Sequence, residues 1–172
     1  MYKNIGRISL IPAYLTIDAL VVAMGCFIPT ASHLLSFPLY KLNPMLAILL
    51  AGMLMGTRMF EERNNLYNAL LLAVLMPIVS CWLTGMPAVS KMACMLVELA
   101  IVVGLFAWLS HRWGVFPAIL TAIFVGKVIY YVLKYVILDP VVLVETEWWL
   151  QLSMMIVWGG LFSLLYKKSN IR

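Results

Sequence analysis

Five or six long apolar segments separated by short loops account for nearly all of this 172-residue chain, and that pattern constrains the fold more than any motif does. Hydrophobic residues make up 65% of the sequence and its mean hydropathy is +1.01. Such a chain has too little polar surface to face water on all sides. A bilayer solves the problem, because about 20 mostly apolar residues span its hydrocarbon core as one helix. The expected fold is therefore an all-α polytopic membrane protein with a single integral membrane domain over residues 1–172. No stretch is left for an appended soluble domain, and no small-residue cleavage site follows Arg7 to suggest a cleaved signal peptide.

The spans are expected at 8–28, 43–60, 66–84, 92–110, 115–138 and 148–166, forming a compact bundle of six transmembrane helices. Turn signals separate them. Pro29, Pro38 and Pro44 bracket the first loop, and Glu61-Glu62-Arg63-Asn64-Asn65 is a polar break. Gly85-Met86-Pro87, His111-Arg112-Trp113-Gly114 and Asp139-Pro140 mark the remaining reversals.

A formal charge of +5 would suggest nucleic acid in a soluble protein, but here the charges cluster at helix ends and set orientation. With the N-terminus inside, eight of the twelve Lys and Arg residues are cytoplasmic: Lys3, Arg7, Arg58, Arg63, Arg112, Lys167, Lys168 and Arg172. Lys41 and Lys91 lie outside, and Lys127 and Lys134 fall within the fifth span. Both termini are thus expected in the cytoplasm, with the protein multi-pass in the cell (inner, cytoplasmic) membrane and in contact with the lipid bilayer rather than with nucleic acid. The longer, irregular links (28–42, 85–91 and 138–147) then all lie outside. The first holds His33, Tyr40 and Lys41; the last holds Glu145 and Glu147 and leads into Trp148-Trp149. Irregular sequence gathered on one face is where a ligand would be captured.

Ionisable residues inside the spans carry the functional information. Asp18, Glu98, Lys127 and Lys134 would each cost about 2.5–3.5 kcal/mol at a lipid-facing helix centre, so each should face the interior or a cavity. Lys127 and Lys134 are two turns apart on one face, interleaved with Tyr130, Tyr131 and Tyr135. Two readings stand side by side: an internal ion pair of Glu98 with a lysine of the fifth helix, or direct contact with a ligand. For the tyrosines, a place in the interfacial aromatic belt is the plainer reading. In the first helix, Ala19 and Ala23, with Gly25 nearby, have the small-residue spacing that permits close helix approach.

The three cysteines, Cys26, Cys81 and Cys94, show no CxxC spacing, so neither zinc nor a redox motif is signalled. The plain reading of each is a small buried hydrophobe. Cys81, in Pro77-Ile78-Val79-Ser80-Cys81-Trp82-Leu83-Thr84-Gly85-Met86-Pro87 at the outer end of the third span, could instead offer a soft thiolate to a transition metal. A cluster of the three cysteines with His33, or a Cys81–Cys94 disulfide, are further arrangements for geometry to decide.

Leu39-Tyr40-Lys41-Leu42-Asn43-Pro44-Met45 leads into the second span, which runs through Gly52 and Gly56 to Arg58, and is followed by the polar break and by a span containing Glu98-Leu99. In this order, over most of residues 8–166, the chain resembles the substrate-binding S-components of energy-coupling factor (ECF) vitamin transporters. The resemblance implies six helices, capture of a vitamin at the outer loops and later helices, and docking through Ala19 and Ala23 to a transmembrane coupling subunit that carries ATPases. The chain has no GxxxxGK[ST] loop with which to hydrolyse ATP itself. Cys81 is similar in place to the cobalt-ligating cysteine of cobalamin-specific S-components, which makes cobalamin the first substrate expectation. The protein would carry no cofactor of its own; the cobalt would arrive with the transported ligand. Cys81 would then bind cobalt, with His33, Tyr40, Trp82, Tyr130 and Trp148 lining the pocket. The alternatives are an S-component for another small vitamin or precursor held by Lys127, Lys134 and aromatics, or a non-transport membrane assembly protein. No HExxH, paired-carboxylate or nucleophile-elbow pattern points to an enzyme, and removal of an axial cobalamin ligand by Cys81 would be stoichiometric.

Overall fold

The structure, a computed structural model, describes residues 18–28, 31, 43–57, 62–85, 87–137 and 148–170. Among these the chain is all-helical: α1 (Asp18–Ile28), α2 (Pro44–Thr57), α3 (Glu62–Thr84), α4 (Val89–Trp113), α5 (Val115–Ile137) and α6 (Trp148–Asn170). Helices α3, α4, α5 and α6 are long and apolar enough to cross a membrane. Helix α2 has 14 residues, which at 1.5 Å per residue spans about 21 Å, short of the ~30 Å hydrocarbon core. Of the expected first span, only the part from Asp18 onward lies within the described residues.

Local chemistry explains the boundaries, and it corrects two of the expected turns. Asn43 adopts a left-handed backbone (φ 53°), which asparagine tolerates better than most side chains. Its carbonyl accepts the Ala47 N–H at 3.3 Å, and Pro44 starts α2 where no amide hydrogen is needed. The polar break at Glu61–Asn65 is not a loop throughout: Glu62 to Asn65 form the first turn of α3. An acidic and amide-rich turn suits a helix N-terminus, where amide groups lack intrahelical partners. Likewise His111, Arg112 and Trp113 form the last turn of α4, where cationic side chains face the negative end of the helix, and Gly114 alone makes the reversal (φ 82°). Gly85 (φ 69°) ends α3, its N–H donating to the Cys81 carbonyl at 3.0 Å. Pro77 lies inside α3 and removes one ladder bond without ending the helix, as neighbouring helices permit in a bundle.

The helices pack as a ring. Each of α2 to α6 contacts the next, and α6 returns to α2. Inside it lie Leu49 of α2, Leu72 and Met76 of α3, Leu99, Val102 and Phe106 of α4, Ile119 and Ile123 of α5, and Phe162 of α6. Phe106, Phe162 and Tyr166 close one end as a mutually packed aromatic trio, with centroids 5.2 to 5.6 Å apart. Helix α1 lies on the α2–α3 seam and runs parallel to α3. Asn68 Nδ2 donates to Asp18 Oδ1 at 3.0 Å, and Gly25 brings its backbone close to Met76. Outward-facing Leu71, Phe124, Val132, Ile156, Leu161 and Leu164 are exposed. An apolar coat around an apolar core fits lipid on the outside, not water.

Candidate functional site

Two ends of the bundle can be told apart: one carries Asn43, Thr84, Val89 and Ile137, the other Thr57, Trp113 and Val115. The principal cluster of polar groups lies toward the Thr84 end. Glu98 sits nine residues into α4, about 14 Å from its start, and is 2% exposed. Lys127 of α5 places Nζ 2.8 Å from Glu98 Oε1, with both side chains nearly removed from solvent. The expected pair between Glu98 and a fifth-helix lysine is therefore present, and Lys127 is the partner. Asn43 Nδ2 donates to the same Oε1 at a longer 3.4 Å, joining the start of α2 to the pair.

Glycine makes the approach possible. A Cβ on Gly126 would lie 2.7 Å from Val102 Cγ2 and 3.2 Å from the Glu98 carbonyl. The missing side chain lets α5 lie against α4, so that Lys127, the next residue, reaches the carboxylate. Tyr130, one turn on, is buried, and both lysines lie near its ring: Lys127 Nζ at 5.0 Å and Lys134 Nζ at 5.8 Å from the centroid. Lys134 is half-buried and also lies 6.0 Å from the Tyr131 ring, which packs edge-on against Tyr130. Glu98 pairs with Lys127, while Lys134 stands over the Tyr130 and Tyr131 rings.

The remaining predicted residues are dispersed. Cys81 is half-buried in the last turn of α3, and its neighbour Trp82 is 83% exposed. Ala19 and Ala23 lie on the exposed face of α1, with Leu20, Met24 and Phe27, while Val21, Gly25 and Cys26 face inward. Asp18 is half-buried against Asn68. His33 and Tyr40 lie outside the described residues; Trp148 begins α6, but its side chain is also outside them. Cys26, Cys81 and Cys94 are all thiols, so the Cys81–Cys94 disulfide is not formed. Among the described residues no group of three or more His, Cys, Asp or Glu could hold a metal ion, which removes a three-cysteine centre. Sequence reading passes over Asn43 as a site residue. Its signal is present, since an Asn-Pro pair opening an apolar helix places an amide where a helix begins.

Among the described residues the protein is all-helical, with four helices long and apolar enough to cross a membrane and a buried, charged cluster inside its ring. No family model, curated protein or solved structure matches the chain.

Proposed function

We propose that this chain is the membrane-embedded substrate-binding subunit of a vitamin-uptake system of the ECF kind. The observation that carries the reading is the convergence of Glu98, Lys127, Lys134, Tyr130 and Asn43 in one half of the bundle. Ionisable groups are costly at membrane depth and mark ligand pathways when they gather inside a bundle. On the positive-inside reading, Arg112, Lys167 and Lys168 assign the Trp113 end to the cytoplasm, and the cluster lies toward the outer end of the bundle. A substrate with one carboxylate or phosphate is drawn to the lysine-bearing face of α5 at Lys134, beside the aromatic rings of Tyr130 and Tyr131. The Glu98–Lys127 pair then serves as the anchor that holds Tyr130 and Lys134 in place.

A second substrate reading, cobalamin, rests on a different observation. Cys81 is a half-buried thiol at the same end of the bundle. A thiolate there suits an axial position of cobalt already held in its macrocycle, for which a three-ligand protein site is unnecessary. In both readings ATP hydrolysis belongs to partner subunits, and the exposed α1 face with Ala19 and Ala23 is the surface toward the coupling subunit. The chain performs no turnover of its own.

An absorbance titration of detergent-purified protein with cyanocobalamin and aquocobalamin, wild type beside Cys81→Ala, separates the substrates. A saturable corrin shift lost in Cys81→Ala establishes cobalamin. If no shift occurs, a thermal-stabilisation screen of anionic vitamins follows, with Lys134→Ala as control. A hit lost in Lys134→Ala supports the first reading, and no stabilisation by any compound refutes vitamin binding.

A further inference from the structure

At the Trp113 end, about 18 Å along α4 from Glu98, the bundle encloses a half-open pocket of about 290 Å³. Its size lies at the lower edge of the ~300–1,000 Å³ typical of small-molecule sites. The deeper lining residues are Met53, Asn65 and Phe106, all buried; Ala107, Ser110 and Tyr166 are half-buried, and His111 is exposed at the mouth. Asn65 supplies the informative contact. Its side chain is 8% exposed, and Nδ2 donates to the Met53 carbonyl at 3.2 Å. That bond fixes the orientation of the amide, because the reverse would set two oxygens against each other. Oδ1 is then left buried, and no donor among the described residues reaches it. A buried acceptor without a partner is costly, so a partner supplied by a ligand is favoured. Ser110 cannot serve, since its hydroxyl already donates to the Ala107 carbonyl at 3.2 Å.

The walls name the rest of the ligand. Phe106 and Tyr166 present aromatic surface, and Met53, Leu66 and Ala107 are apolar, so the body that fits is flat and apolar. We propose that this pocket is a second binding site, for a small aromatic molecule bearing a single N–H or O–H donor that pairs with Asn65 Oδ1. It does not depend on the uptake reading, because it shares no residue with the cluster around Glu98. It lies at the opposite end of the ring, where a solute in the water or headgroup layer beside Trp113 can enter past His111.

Phenol and anisole, which differ by a methyl cap on the donor, make the test. The readout is the methyl NMR signal of Met53 in methionine-labelled protein in nanodiscs, assigned by its loss in Met53→Leu. Phenol is expected to shift that signal saturably and to bind about tenfold tighter than anisole, the factor that one hydrogen bond contributes. Anisole partitions into lipid more strongly than phenol, so a preference for phenol cannot arise from the bilayer. Asn65→Leu should abolish the preference. Because that variant also loses the bond to Met53, Ala107→Leu serves as the second variant: it fills the pocket, keeps Asn65, and should abolish the shift. No saturable shift with phenol, equal binding of the two probes, or undiminished binding to Ala107→Leu would each overturn the proposal. The first two would mean that water satisfies Oδ1.

Discussion

Removing Lys127 should destabilise the protein more than removing Lys127 and Glu98 together. At 2.8 Å the pair attracts by about 6 kcal/mol at an effective dielectric near 20, while taking each ion out of water costs several kcal/mol. The two terms nearly cancel when both ions are present. In Lys127→Met the attraction is gone, but Glu98 stays buried in the ring, 2% exposed, with only the 3.4 Å contact from Asn43 as support. The expected loss is about 3–5 kcal/mol, the range for breaking a buried pair from one side. The double variant Glu98→Gln/Lys127→Met has no uncompensated charge, and the amide oxygen it introduces can still accept from Asn43. It should recover at least about 1 kcal/mol of that loss, a coupling well within the range for contacting residues. Equilibrium unfolding in mixed dodecylmaltoside and SDS, followed by far-ultraviolet circular dichroism, measures both. A loss below about 1 kcal/mol for Lys127→Met, or a double variant that loses the sum of the two singles, would refute a buried ion pair at this position.

Gly126→Ala forces a Cβ to within 2.7 Å of Val102 and should cost about 1–3 kcal/mol by overpacking, read in the same unfolding assay. A neutral outcome would mean that α4 and α5 do not approach this closely. Phe162→Ala removes the centre of the aromatic trio and should cost about 3–5 kcal/mol; an unchanged midpoint would show that Phe162 is not in the core. Cys81 should react with a maleimide first in the folded protein, with Cys26 and Cys94 reacting only after SDS, as mass spectrometry of the labelled peptides would reveal. Equal labelling of all three before SDS would contradict their burial.

Much of the fold is legible in the sequence because apolar length is a direct physical requirement for crossing a bilayer. The helices α3 to α6 follow from long, largely apolar runs, and α5 is found within one residue of its expected limits, 115–138 against Val115–Ile137. The differences fall where polarity reads as a loop. Composition places Asn65 in a break, yet its amide is buried and bonded to α2; it places His111 in a reversal, yet that residue completes a turn of α4. A helix end needs polar groups as much as a loop does, so composition alone does not separate the two. The pairing of Glu98 is legible because a carboxylate at membrane depth requires a cation, and α5 is the neighbouring helix that carries lysines within its apolar span. Which lysine it takes is not legible: that depends on Gly126, whose missing Cβ sets the distance between two helices, and packing distance leaves no mark in a periodicity.

The same glycine links the architecture to the proposed uptake role. Lys127 and Lys134 share a helix face, but α4 offers Glu98 to only one of them. Close contact at Gly126 fixes the choice at Lys127, and Lys134 lies instead against the Tyr130 and Tyr131 rings. Had α5 been shifted by two turns, Glu98 would meet Lys134 instead, and Lys127 would lie deeper in the ring, farther from the Thr84 end. The register therefore does two things at once. It satisfies a carboxylate that would otherwise destabilise the bundle, and it sets Lys134 one turn from the end of α5, beside Tyr130 and Tyr131.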